Sequence, residues 1–422
     1  MTMTSRTVPL ATRLGPSATI GASSTALATT MVPVFLVGAL SAVIGTDLGF
    51  DEATTGFIVT GFYFTAAVVA IPLGSLTERI GAGRAMRSGV LLSAAGCAVA
   101  ATLVRSAWQL GLLMILMGAT LPMVDTGAAR AFTTTVPSDR RGIAFGIKEA
   151  SVPLASLLAG LAVPLLATTV GWRVAFLGGV LVGPLAVVSL RLAVPADVRF
   201  RLDRADSHDG ARMGRRAPDN PRTPAGRGVS SRPRLRRPVR LLAASFALSG
   251  AGAAAAVTFL VPAATAGGMS SANAGLTLAA ASAGGIVARL AAGVIADRRP
   301  STLGPVLLAA MLAGAVGTSA LALAPSGATF VIVAVVTLTA GWGWTGLGFA
   351  ALTQVVPHAP ATAAGAGILG LALGGTLGPT LFGQFAARGS YPLAWTVVAA
   401  VFLAGTGCAY AALRLDRFMA TD

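Results

Sequence analysis

Twelve apolar stretches run through the chain, separated by short polar punctuation, near 19–45, 54–74, 88–104, 110–130, 143–168 and 173–194, then 240–263, 273–296, 301–324, 329–354, 361–387 and 392–413. A helix needs about 20 apolar residues to cross the hydrocarbon core of a bilayer, so each stretch predicts one membrane span. The pattern therefore predicts an all-α integral membrane fold. Six spans fall in 1–194 and six in 240–422, each set forming a bundle beside a central cavity, with 195–239 between them as a linker. The first stretch follows Arg6 and Arg13 but carries no small-residue cleavage site ahead of Thr46-Asp47, which reads as a retained first helix.

The two halves repeat a signature. Gly74-Ser75-Leu76-Thr77-Glu78-Arg79 closes the second stretch, and Gly293-Val294-Ile295-Ala296-Asp297-Arg298 closes the eighth. Val136-Pro137 matches Val356-Pro357, Gly146-Ile147 matches Gly367-Ile368, and Trp172 matches Trp395, with the offset drifting as small loop insertions would make it. Such internal repeats are a common frame of carriers that expose one site alternately to the two sides of a membrane.

Composition fits the same picture. Charged residues make up 11% of the chain, less than half the share of an average soluble domain, and the mean hydropathy is +0.77. The 52 glycines let helices approach closely where no hydrophobic effect draws them together. The net charge of +16 is a property of loops: of 31 basic residues, 25 lie on one set of alternating loops and tails, three on the other (Arg105, Arg173, Arg388) and three within spans (Arg130, Lys148, Arg289). That bias places both termini and the linker on the cytoplasmic side of the plasma membrane. The linker, rich in arginine and proline, predicts disorder and contact with anionic lipid headgroups. With Phe200 as its single aromatic residue it offers little to stack on bases, and no nucleic-acid partner is expected. Cys97 and Cys408 lie far apart in apolar stretches, without metal-ligand spacing, and no cofactor or metal is expected.

The loop Gly74-x-x-x-Glu78-Arg79-x-Gly81-x-x-Arg84, together with Arg141-Gly142-x-Ala144-Phe145-Gly146 and Gly171-Trp172-Arg173-x-Ala175-Phe176, resembles the major facilitator superfamily, with Glu78 where the family usually has Asp. The resemblance covers essentially the whole chain outside the linker. It implies a secondary transporter of the twelve-helix type in which Gly74, Glu78, Arg79, Gly81 and Arg84, and in the second copy Gly293, Asp297 and Arg298, latch one conformation. Because Arg299-Pro300 replaces the later glycine and base of the second copy, the Glu78 loop is expected to be the better latch.

Ionisable residues inside spans are the leading candidates for a substrate or proton pathway. Lys148, the sole lysine, sits beside Glu149 in Gly146-Ile147-Lys148-Glu149-Ala150-Ser151-Val152-Pro153, which is similar to the fifth helix of facilitators related to cyanate and nitrate/nitrite carriers. Two readings stand: the pair faces a cavity, or it meets the headgroups. Asp125 lies deep in the fourth stretch, with Lys148 or Arg130 as partners across a helix gap. Trp342 and Trp344 fall at mid-depth in the tenth, where at least one indole is expected to line the cavity; Thr345 takes the repeat position of Asp125. Thr29 and Tyr63 are weaker cavity candidates, and Arg289 is expected to reach for the cytoplasmic face.

The expected function is alternating-access transport of a small solute by a monomer, proton-coupled, with uptake of a small anion or metabolite ahead of efflux. The fifth stretch lacks the Gly-x-x-x-Gly-Pro pattern of drug-efflux relatives, and a similar run, Gly374 to Pro379, falls on the eleventh. A sensor or scaffold that kept the fold is the alternative class, with no evident need for charges at membrane depth. An enzyme is disfavoured, because His208 and His358 both fall in loops, away from any Ser-His-Asp or metal constellation.

Overall fold

A computed structural model describes residues 15–137, 140–194, 237–324, 327–355 and 360–421. Fourteen α-helices are present among them: α1 (Gly15–Ala39), α2 (Ser41–Leu48), α3 (Glu52–Ile80), α4 (Ala82–Thr102), α5 (Ala107–Met117), α6 (Thr120–Thr135), α7 (Arg141–Ala162), α8 (Trp172–Ala193), α9 (Arg237–Ala266), α10 (Ser271–Arg298), α11 (Leu303–Leu321), α12 (Gly327–Val355), α13 (Pro360–Ala386) and α14 (Tyr391–Thr421). Twelve spans long and apolar enough to cross a membrane result, with α5 and α6 forming one broken span and a π-helical turn, Val163–Ala167, extending α7. The seventh span starts three residues before the expected boundary; the rest of the 195–239 segment lies outside the described residues.

Each half has an apolar core of its own. Met86, Val124, Phe132 and Leu190 anchor the first, and Phe246, Met311, Trp344 and Phe402 the second. A third cluster takes Phe35, Phe62 and Trp172 from one half and Phe259, Trp342, Phe382 and Trp395 from the other, so the halves share a packed interface.

Two seams make that interface, and small residues make both seams. Along α7 and α10 the backbones touch: a Cβ at Gly160 would sit 2.7 Å from the Gly275 carbonyl oxygen, and one at Gly293 would sit 2.9 Å from that of Gly142. Between these points Ser282 donates to Ser156 at 3.0 Å. The α7–α10 seam is thus closed along its length, from the face where α1 begins (the terminal face) to the opposite, far face. The α3–α13 seam holds mainly toward the far face, where Gly56 lies under Pro379, Thr60 bonds both Thr376 and Thr380, and Tyr391 of α14 donates to Glu52 at 2.9 Å. Toward the terminal face α3 is uncovered at Val68 and Ile71.

On the far face, Asp47 of α2 ties three spans together. It accepts from Trp172 Nε1 at 3.0 Å and Arg173 Nη1 at 2.8 Å, while Arg173 Nη2 donates to the Val104 carbonyl and its guanidinium lies over the Trp172 ring. The bonds from Trp172 and then Arg173 hold the Asp47 carboxyl below its ordinary range.

Two outcomes follow from this packing. Gly160→Val, placed where no Cβ fits, is expected to destabilise by about 1–3 kcal/mol, whereas Gly74→Ala, whose Cβ would meet nothing within 4 Å, is expected to be neutral or slightly stabilising. Thermal unfolding in detergent checks both. Because the folded-state pKa of Asp47 is depressed, its contribution is full above the unfolded carboxylate value near about 3.9 and is lost as pH falls through the lower folded value. Asp47→Asn should remove that part of the acid dependence, read as a flatter melting temperature below pH 4.

Candidate functional site

Four charged side chains from three helices meet just to the terminal side of mid-membrane: Asp125 (α6), Lys148 and Glu149 (α7) and Arg289 (α10). Lys148 Nζ lies 2.6 Å from Asp125 Oδ1 and 3.0 Å from Glu149 Oε1. Arg289 Nη1 lies 3.4 Å from Glu149 Oε2, which makes Glu149 the bridge between the lysine of its own half and the arginine of the other. Two acids and two bases leave the cluster formally neutral, the arrangement that lets charges persist away from water. Lys148 lies about 10 Å into its helix at 1.5 Å per residue and is buried between helices.

Local sequence explains why Arg289 comes here. Pro153, four residues after Glu149, has no N–H, so the Glu149 carbonyl has no helical donor. Arg289 Nη1 donates to that carbonyl instead, and its Nε donates to the Trp342 carbonyl at 3.1 Å, with the guanidinium over the indole at 5.5 Å. Close approach of α10 to α7 is possible because a Cβ at Gly146 would already be 3.0 Å from the Arg289 carbonyl oxygen. Arg289 is therefore buried and turned inward, at 4% exposure, rather than reaching for a membrane face as its spacing from Gly293 suggested. The sequence did carry a signal for it: away from the span ends and besides Arg130, the acids Asp125 and Glu149 are matched by the bases Lys148 and Arg289, and buried charges balance.

The other candidates divide. Tyr63 packs against Phe62 and over Gly375, within electrostatic reach of Arg289. Trp342 belongs to the site and also meets Phe35 across the interface. Trp344 does not: it is fully buried in the second half's core between Phe246 and Phe402. Successive residues on a helix point about 100° apart, so Trp342 and Trp344 cannot serve the same surface. Thr345 and Thr29 bond their own helices, Thr345 to the Trp342 carbonyl and Thr29 to that of Thr25. Arg130 lies farther along α6, where its carbonyl accepts from Thr133 and Thr134. Ser151, not singled out by its type, is buried one turn past Lys148, with a hydroxyl lacking any hydrogen-bond partner among the described residues.

In this conformation the contacts of the two signature acids differ from what their motifs suggested. Asp297 accepts from the backbone N–H groups of Gly142 at 3.1 Å and Ile143 at 2.9 Å, capping the first turn of α7 from the other half. Glu78 is exposed and makes no hydrogen bond or ion pair among the described residues. The difference is geometric: the α7–α10 seam that Asp297 serves is closed at the terminal face. Gly74 lies inside α3 and shapes no exit; the turn out of α3 is made by Gly81, at φ 92°. Arg79, Arg84 and Arg298 are exposed on the terminal face.

Residues 18–379 match the family model described as Major Facilitator Superfamily, and the chain belongs to that family. It is a membrane transporter of that family by fold and sequence. Among solved structures it is similar to a bacterial homolog to the human lysosomal transporter Spinster, in an inward-facing and occupied conformation, at 15% identity over 94% of this chain and 97% of that one, with a TM-score of 0.67. No curated protein matches the sequence.

Breaking one partner of the buried cross-half pair should be costly. Arg289→Gln and Glu149→Gln singly are each expected to destabilise by about 3–5 kcal/mol, and the double variant by clearly less than their sum. A double-mutant cycle of thermal unfolding checks this coupling; strict additivity would mean that the pair carries no interaction.

Proposed function

We propose that this protein is a secondary active transporter that takes a small anion or anionic metabolite into the cell by alternating access, coupled to protons, with Asp125, Lys148, Glu149 and Arg289 as its substrate and coupling site. The observation that carries the reading is the Glu149–Arg289 contact, which joins the two halves through the same charges a solute or proton would re-pair. A ligand shifts a conformational equilibrium only through different interactions with its two states. A charged solute that separates Glu149 from Arg289 has that property. The placement of basic residues supports a plasma-membrane protein with cytoplasmic termini, the 195–239 segment lying against anionic lipid. One chain holds the whole cluster, which supports function as a monomer.

The second class, a sensor or scaffold, lacks an observation of this kind: a buried, neutral, four-charge cluster across the moving interface has no structural need there, since well-packed apolar residues often do as well. Proteoliposomes loaded with a pH dye, given an inward gradient of nitrate, lactate or phosphate, test transport directly. The wild type is expected to carry protons inward with at least one of these anions, and Lys148→Ala with Asp125→Asn to slow that flux at least about tenfold, the range a lost charge partner gives. Unchanged flux in the double variant would remove the assigned site, and proton-driven accumulation of a hydrophobic drug in inside-out vesicles would reverse the direction.

A further inference from the structure

The two helices that hold Arg289 between them are packed along one part of their length and parted along another. From Gly284 to Ala292, α10 lies close on α12. A Cβ at Gly284 would strike the Thr339 hydroxyl, one at Gly285 would sit 3.0 Å from the Trp342 ring, and one at Gly343 would sit 3.0 Å from the Ala288 Cβ. On the far-face side of Gly284 the helices splay around a groove of about 700 Å³, a volume in the range of small-molecule sites.

The groove has the depth of one leaflet. With 28 residues, α10 is about 42 Å long at 1.5 Å per residue, which matches the roughly 40–45 Å of a bilayer with its headgroup regions. Its first turn therefore lies at headgroup level, and Gly284, about 20 Å along the axis by the same rise, lies near the midplane.

Polarity changes along the groove in the same order. At its far end stand Ser270 and Asn273. The Ser270 hydroxyl oxygen accepts from the Asn273 N–H at 3.3 Å, which leaves its proton to donate outward, and the exposed Asn273 side-chain amide makes no hydrogen bond among the described residues. Deeper, the walls are Leu276, Ala280, Ala328 and Val331, and the Thr277 hydroxyl among them is spent on the Asn273 carbonyl at 2.8 Å. No lining residue is charged, and neither helix has an acid in its first turn. The flanks, Val287, Ile332 and Val336, are apolar and more than half exposed, so the groove opens sideways onto hydrocarbon, where no water competes.

We propose that this groove binds a phospholipid of the far leaflet, one acyl chain lying between α10 and α12 and the phosphate taken by Ser270 and Asn273. Its occupant must be apolar over the depth of a leaflet and accept hydrogen bonds at one end, and a phospholipid does both. The phosphate oxygens are acceptors, which suits a mouth that presents donors and no acid. Because lipid tails are as apolar as the groove walls, preference for the site comes from the headgroup bonds. Arg289 of α10 donates to the Trp342 carbonyl of α12 at 3.1 Å, just past the Gly284–Thr339 contact. A chain wedged between the far ends of these helices thus acts on the angle at which they hold that arginine.

Labelling in vesicles tests this independently of what the protein carries. Full-length protein is reconstituted in phosphatidylethanolamine and phosphatidylglycerol with a trace of phosphatidylglycerol bearing a diazirine in one acyl chain, and cross-linked peptides are mapped by mass spectrometry. Label on 273–284 and 327–335 is expected to exceed that on α11, whose Val316 and Leu323 are exposed, by about fivefold, the ratio one net hydrogen bond gives. Ala280→Phe with Ala328→Leu should fill the groove and remove the excess while α11 is labelled as before, and Ser270→Ala with Asn273→Ala should remove it without filling the groove. A diazirine diacylglycerol, which lacks the phosphate, should label groove and α11 alike. Equal labelling of the two by the phospholipid would make the lipid there ordinary solvent and overturn the proposal, as would an excess that survives either double variant or is shared by the diacylglycerol. Label below that on α11 would overturn it in favour of a protein cover, such as a second copy. The wild-type ratio decides even if the variants fail to fold.

Discussion

The Arg289–Glu149 contact depends on a helix seam lined by glycine and other small residues. Two charges can stay buried only where each finds a partner, and Arg289 finds Glu149 because α10 lies against α7 at backbone distance, with Gly142, Gly146 and Gly293 near one end and Gly160 and Gly275 near the other. A proline completes the arrangement, since Pro153 leaves the Glu149 carbonyl open and the arginine occupies it. Seam, proline and charges form one unit. A larger side chain in the seam would move α10 outward and strand the charges, at a cost beyond its own clash.

The repeat supplies two halves with similar frames, and the structure uses them unequally. The first half brings three of the four charges and the second brings one, at a position whose repeat counterpart is Ala70. One seam is closed from face to face, with Asp297 capping α7 at its end; the other is held toward the far face by Thr60, Thr376, Thr380, Glu52 and Tyr391. Such an arrangement suits a structure that pivots on one seam while the other parts at the terminal face. The far face is further bound by Asp47, whose bonds to Trp172 and Arg173 join the first, third and sixth spans.

Much of this was legible in the amino-acid order. Twelve spans, two halves and the family follow from hydropathy and repeated motifs, because a bilayer imposes a length and polarity on each crossing segment that local sequence alone must meet. Asp125, Lys148 and Glu149 announced themselves as charges where charge is expensive, and the Asp125–Lys148 pairing was among the options their spacing left open. Thr29 and Thr345 turned to their own backbones, as hydroxyls in helices commonly do.

The rest was settled by which helix lies against which. Arg289 looked like a residue bound for the headgroups until α10 met α7. Trp342 and Trp344 looked equivalent until one face of α12 turned to the interface and the other to the core. Glu78 had the fuller motif, yet Asp297 has the partner, because a carboxylate caps a helix only when that helix is brought to it. Local sequence determined the spans, their number and their cost of charge, all of which are properties of a segment and its solvent. Tertiary structure decided the pairings, since a contact between positions 149 and 289 belongs to two helices at once and is encoded in neither alone.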